Sequence, residues 1–234
     1  MKLPAELQAF AKHVHERTLP NGMTALVVPR TGSATLHFAI AFGVGGVDEP
    51  EGRSGIAHLY EHMAFKGTPR IGTRNWPKER RLLDRLDDLD EARKAEEASP
   101  RPDANKIAGL TKAFERTEAA AEKLVVPNEL DELYQRNGAK GLNAYTSKDA
   151  TVYIVNLPAN RLKLWAAIEG ERVRTPVLRQ FYRERNVVLE ELRRCEDLPS
   201  WRMWDALCLT ALTAHPYRTP IIGWRSDLEK MTRR

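Results

Sequence analysis

Ile56-Ala57-His58-Leu59-Tyr60-Glu61-His62-Met63-Ala64-Phe65 is the stretch around which the rest of the chain can be organised. His58 and His62 are four positions apart, so on a helix their imidazoles share one face, one turn apart, within reach of a single ion. This is the spacing of a zinc pair. Glu61 stands three residues after the first histidine and one before the second, close enough to take a proton from a water on that ion without being a ligand. Two surface histidines beside a solvated glutamate would have the same spacing. The flanks argue otherwise: Gly55, Ile56, Ala57, Met63, Ala64 and Phe65 are small or apolar and carry the polar trio into packed surroundings, where His and Glu need partners.

His-x-x-Glu-His is the inverted form of the zinc-hydrolase signature, and a zinc ion held by three protein ligands keeps a fourth position open. The best source of a third donor is Phe181-Tyr182-Arg183-Glu184-Arg185-Asn186-Val187-Val188-Leu189-Glu190-Glu191-Leu192, which has no Pro or Gly and should be helical. Glu184 and Glu191, seven apart, share a face with Val187 and Val188 between them. Valines want the core and carboxylates enter it only with compensation, which a metal would supply. The alternative is that Glu190 and Glu191 are solvated and paired with Arg193 and Arg194 one turn on.

Four segments in this order, His58-x-x-Glu61-His62, Met63-Ala64-Phe65-Lys66-Gly67-Thr68, Leu142-Asn143-Ala144-Tyr145-Thr146-Ser147 and Glu184-Arg185-x-Val187-Val188-x-Glu190-Glu191, resemble the pitrilysin and insulinase family of zinc peptidases, which includes the mitochondrial processing peptidase. Thr18-Leu19-Pro20-Asn21-Gly22, His215-Pro216-Tyr217 and Ile222-Gly223-Trp224 extend the likeness over most of the chain. The resemblance implies one zinc ion per chain, with His58, His62 and Glu191 as ligands, Glu61 as general base and Glu184 as a second acidic residue supporting the site. It also implies that Asn143 and Ala144 hold the backbone of an extended peptide substrate. Relatives of this kind are built from two related halves, so the chain is expected to be an N-terminal half-domain whose partner is a second half-domain or a homologous subunit. That missing half would bring Arg and Tyr groups to the substrate carbonyl.

Working outward, Thr24 to Val28 and Ala34 to Val44 have the β-branched and apolar content of strands, with turns at Pro20-Asn21-Gly22 and Thr31-Gly32-Ser33. Gly141 to Ser147 and Ala150 to Leu157 read as a hairpin around Lys148-Asp149. It is either a plain structural hairpin or an edge that accepts peptide by main-chain pairing. Asn160 to Arg172 and Trp201 to Leu212 read as helices whose aromatics belong in the core. The fold class is α+β: a mixed, mainly antiparallel sheet packed with helices, in one domain over residues 1–234. Cys195 and Cys208 lack the close spacing of a zinc knuckle and read as ordinary, buried thiols.

From about Trp76 to Leu124 the chain departs from the family with roughly fifty extra, highly charged residues, broken at Ser99-Pro100-Arg101-Pro102-Asp103. Leu82, Leu86 and Leu89 before the break, and Ile107, Leu110, Phe114, Thr117, Ala121 and Leu124 after it, recur at spacings of three and four. They predict an inserted helical hairpin zipped by a narrow seam. A solvated insertion is favoured there over a docking arm or gate, because charge runs usually only solvate.

The composition is 42% hydrophobic and 29% charged with a net charge of +5, and the mean hydropathy is −0.51. No apolar run of about 18 residues could span a membrane, and the arginines are spread among acidic residues rather than gathered in a basic stripe, which argues against nucleic acid. Met1-Lys2-Leu3-Pro4-Ala5-Glu6-Leu7-Gln8 has no apolar core and is not a secretory signal as written. A soluble, cytoplasmic protein is the default expectation, and a periplasmic one if residues precede this start. The expected activity is zinc-dependent endoproteolysis of peptides or unfolded segments, and the alternatives are an inactive zinc- or peptide-binding subunit or a scaffold acting through the insertion. The presence of Glu61, which a purely binding relative would not need, favours the first.

Overall fold

The computed structural model describes residues 4–234. Met1 to Leu3, the start of the segment read above for an export signal, lie outside the described residues. A short helix, α1 (Ala5–Ala11), leads into strands β1 (His15–Thr18) and β2 (Thr24–Val27), which pair antiparallel across the Pro20-Asn21-Gly22 turn. β3 (Thr35–Phe42) follows, then helices α2 (Ile56–Met63), α3 (Trp76–Glu97), α4 (Ala104–Glu122) and α5 (Glu129–Arg136). Strands β4 (Lys140–Thr146) and β5 (Thr151–Pro158) come next, and then α6 (Leu162–Arg174), α7 (Phe181–Glu196), α8 (Pro199–Ala211) and α9 (Arg225–Lys230). The architecture is α+β, with antiparallel sheets and helices packed on them. Among the described residues no helix is long and apolar enough to cross a membrane.

The larger sheet has the order β3-β5-β4, all antiparallel, which leaves β4 as an edge strand. In β5 every second residue is buried, Thr151, Tyr153, Val155 and Leu157, as expected for a strand with one face on the core. The register sets Phe42 and Thr146 opposite Thr151, and Ile40 and Ala144 opposite Tyr153, so Ala144 and Thr146 point to the same inner face. One apolar cluster lies under this face, formed by Leu130 and Tyr134 of α5 with Val155, Leu157 and Ile168, and Phe38 stacks on Trp165 with ring centroids 4.2 Å apart. A second cluster joins Leu59 and Met63 of α2 to Leu83 and Leu86 of α3, Val188 and Leu192 of α7, and Leu228 of α9.

Three expectations need correction. The 76–124 segment is not a solvated arm. α3 and α4 pack against each other and form one wall of the second cluster: Leu83, Leu86, Leu89 and Ala121 are buried, and Phe114 of α4 meets Tyr182 of α7 edge-on at 5.0 Å. Its charge misleads because three carboxylates go inside with partners: Glu79 with Arg179, Asp87 with Tyr182 and Arg233, and Asp90 with Arg93 and Lys94. Second, Trp204 on α8 is 62% exposed, with Met203 and Leu207 beside it, so this aromatic is not in the core. Third, both cysteines are half-buried rather than buried.

Candidate metal centre

α2 begins at Gly55, whose φ of 87° lies in the left-handed region. It has no side-chain cap of its own. Glu49 supplies one, accepting hydrogen bonds from the backbone N–H groups of Gly55 (2.7 Å) and Ala57 (2.8 Å). Burial raises the pKa of Glu49, and these two hydrogen bonds partly oppose the shift. From the far end of the chain, Asp227 accepts from Ser54 Oγ (2.6 Å) and Ser54 N (3.1 Å), while Ser54 Oγ accepts from Trp224 N (2.8 Å). Leu59 and Met63 face the core, and His58 and His62, one position earlier on each turn, lie about 100° round the helix on a neighbouring, half-buried side.

α7 crosses that side. Val188 and Leu192 are fully packed. Val187, expected inside, is 46% exposed, so the face between the two glutamates is only half apolar. Glu190 pairs with Arg193 and Arg194, as a solvated helix residue would. Glu191, one position on, turns instead to the histidines: its Oε1 is 3.8 Å from His58 Nε2 and its Oε2 is 3.6 Å from His62 Nε2. His58, His62 and Glu191 each offer a donor atom, and these atoms lie within 4.8 Å of one another. Glu184, two turns earlier, sits with Oε2 3.5 Å from His62 Nδ1 and also takes an ion pair from Lys66.

The donor set suits a divalent ion of the zinc type. Two ligands held tetrahedrally about 2.0–2.1 Å from zinc are about 3.3 Å apart, and the carboxylate–imidazole separations here are slightly wider than that and beyond hydrogen-bonding range. Charge agrees. Glu61 and Glu191 act on both rings and Glu184 on His62, and Lys66 pairs with only one of these carboxylates, so the cluster carries negative charge that a dication would balance. Burial lowers the pKa of His58, with Glu191 working against it, while contact with Glu184 raises that of His62 despite burial. Burial alone would raise the pKa of Glu184, but hydrogen bonding with His62 and Lys66 outweighs it and the carboxyl lies below its usual value.

Glu61 stays out of the donor set. Its Oε2 accepts a hydrogen bond from Thr146 Oγ1 at 2.6 Å, across the gap between α2 and the end of β4. Asn143 is exposed on the edge strand β4, and Ala144 is buried beside Tyr153. Sequence reasoning passed over four residues: Lys66, Thr146, Glu49 and Asp227. Lys66 and Thr146 lay inside quoted motifs, yet their partners are 118 and 85 residues away, a pairing that no local spacing encodes.

Comparison with known proteins finds a family profile and several relatives. Residues 26–86 match the sequence profile of the insulinase family, peptidase family M16. The chain is 25% identical over 229 residues to the zinc protease PqqE of Helicobacter pylori, covering 96% of this chain and 39% of that protein. It is 24% identical over 218 residues to a probable mitochondrial-processing peptidase subunit beta of Schizosaccharomyces pombe, covering 92% and 36%. In fold it resembles a crystallised protease from Helicobacter pylori, with a TM-score of 0.67, 23% identity and coverage of 94% and 40%. It also resembles the periplasmic protease PqqL of Escherichia coli, with a TM-score of 0.62, 21% identity and coverage of 94% and 19%. The chain thus spans well under half the length of these relatives.

Proposed function

From its membership of the insulinase family, peptidase family M16, we propose that this chain is the metal-bearing half of a zinc endopeptidase that cuts peptides or unfolded segments bound in extended form. The observation that carries the reading is the convergence of His58, His62 and Glu191, from helices far apart in sequence, with Glu61 next to them and engaged elsewhere. His58, His62 and Glu191 would hold the ion. Zinc bound there supplies Lewis acidity, polarising a carbonyl and bringing the pKa of water toward neutrality.

The protein's own groups do the rest. Glu61 takes the proton of the attacking water and returns it to the leaving amine. Glu184, held by Lys66, orients the His62 ring through Nδ1, a carboxylate–imidazole support that fixes which nitrogen faces the ion. β4 gives an extended peptide an edge to pair with, and Asn143 and Ala144 would hold its backbone, so affinity comes from main-chain hydrogen bonds rather than from side-chain sequence. A second half-domain or partner chain would close over the bound peptide, which fits relatives more than twice as long as this chain.

Peptide cleavage with zinc analysis tests this, both on the chain alone and with its second half supplied. Glu61→Gln is expected to keep about one zinc per chain and to lose a factor of about 10²–10⁴ in cleavage, whereas His58→Ala and Glu191→Gln lose both. Full zinc content in His58→Ala, or undiminished cleavage by Glu61→Gln, would overturn the reading.

A further inference from the structure

We infer that Thr146 is a positioning residue that decides which oxygen of Glu61 acts as the base; the inference rests on the peptidase reading above. Thr146 Oγ1 donates to Glu61 Oε2 at 2.6 Å. The neighbouring hydroxyl of Thr151 is 3.5 Å from that of Thr146 but sends its own proton to Val44 O at 3.0 Å. The two hydroxyls therefore do not compete, and Thr146 is left with the carboxylate as its acceptor. Both threonines are set by the sheet: Thr146 opposes Thr151 across β4 and β5, and Thr151 opposes Phe42 across β5 and β3. A β-branched side chain on a strand has few χ1 choices, so the donor is stiff.

Oε2 is thus tied, and among the described residues no donor reaches Oε1. In the proposed hydrolysis, a water O–H bond breaks toward Oε1 as the water oxygen bonds to the scissile carbon. The same proton leaves Oε1 for the amine nitrogen as the C–N bond breaks. Oε2 keeps its hydrogen bond in both steps, so the carboxylate does not swing between them. Without Thr146 the two oxygens become equivalent and the side chain rotates, which slows the chemical step without touching peptide binding or the metal ligands.

The test uses zinc-loaded protein, with its second half supplied if cleavage requires it. Wild type, Thr146→Val, Thr146→Ser, Glu61→Gln and Thr146→Val/Glu61→Gln are compared in kcat, KM and zinc content. Thr146→Val is expected to lower kcat by at least about tenfold, the scale of one hydrogen bond to a charged acceptor, with KM and zinc unchanged. Thr146→Ser is expected to recover most of the loss, and Thr146→Val to add nothing to Glu61→Gln. An unchanged kcat in Thr146→Val, a loss carried by KM or zinc content, or the full loss repeated on top of Glu61→Gln would each overturn the inference. Thermal unfolding of wild type and of the Thr146→Val, Glu61→Ala and double variants gives a reading free of activity. If the wild type cleaves nothing, the peptidase reading fails first, and this cycle then judges the contact: non-additive shifts in Tm support the tie, and additive shifts overturn it.

Discussion

Two glycines bring distant segments of the chain together at the start of α2. Gly55 (φ 87°) and Gly223 (φ 89°) lie back to back, and a Cβ on either would run into the other segment's backbone. Gly52 has a similar φ of 80° but open space around it. Gly52→Ala should therefore cost only the left-handed strain of about 1–2 kcal/mol. Gly223→Ala adds a backbone clash, so its loss should be at least about 2 kcal/mol larger, with weaker zinc binding because α2 is levered away from α7. Denaturant unfolding and zinc titration of the two variants check this, and equal losses would show that the close approach does not matter. At this scale spacing alone brought out the groups that share a face: His58 and His62 at i, i+4, and Glu184 and Glu191 at i, i+7. It left open whether Glu191 meets the histidines or, like Glu190, is solvated and paired with Arg193 and Arg194, because only the crossing of α7 over α2 decides which carboxylate reaches the rings. Lys66, Thr146 and Gly223 act through contacts across the whole chain, and such contacts leave no periodic trace.

Helices and strands were legible wherever one face repeats. β5 alternates throughout, and the seam of α4 from Ile107 to Ala121 lies on its packed side. What charge density concealed is that α3 buries a second face against α7, which a rule equating charge with solvation cannot detect. The element that makes this possible is the Arg179–Glu79 pair, 1% and 0% exposed. The Arg179 guanidinium donates to Glu79 at 2.8 Å and also to the carbonyl oxygens of Lys66, Thr68 (2.8 Å) and Ile71 (2.9 Å). It thereby ties the start of α3 to the loop that leaves α2. Arg179→Met would strand a buried carboxylate and the carbonyls of Lys66 and Thr68, while Ile71 O keeps the Thr68 N–H, so a loss of about 3–5 kcal/mol is expected. Arg179→Lys should recover only part of it, since an ammonium cannot span the fork. Chemical denaturation measures both, and a lysine variant as stable as wild type would show that charge alone, not the planar fork, holds the loop.

In the whole molecule, the two helices that meet at the candidate centre enter the same apolar cluster by their other faces, Leu59 and Met63 from α2, Val188 and Leu192 from α7. Packing thus brings two imidazoles and three carboxylates together at the edge of a core, and among the described residues only Lys66 pairs with them as a cationic side chain. That crowding is a cost of the fold that a dication removes, so zinc should stabilise the entire chain and not only the residues that touch it. Zinc at about one hundred times its dissociation constant contributes about 2.7 kcal/mol, which for a chain of this length raises Tm by about 5–10 °C. The rise should persist in Glu61→Gln, whose side chain is outside the donor set, and vanish in His58→Ala and in Glu191→Gln. Differential scanning calorimetry with and without zinc or a chelator decides it: a rise that survives loss of Glu191 would mean that the ion does not bridge α2 to α7, and the case for one shared centre would fail with it.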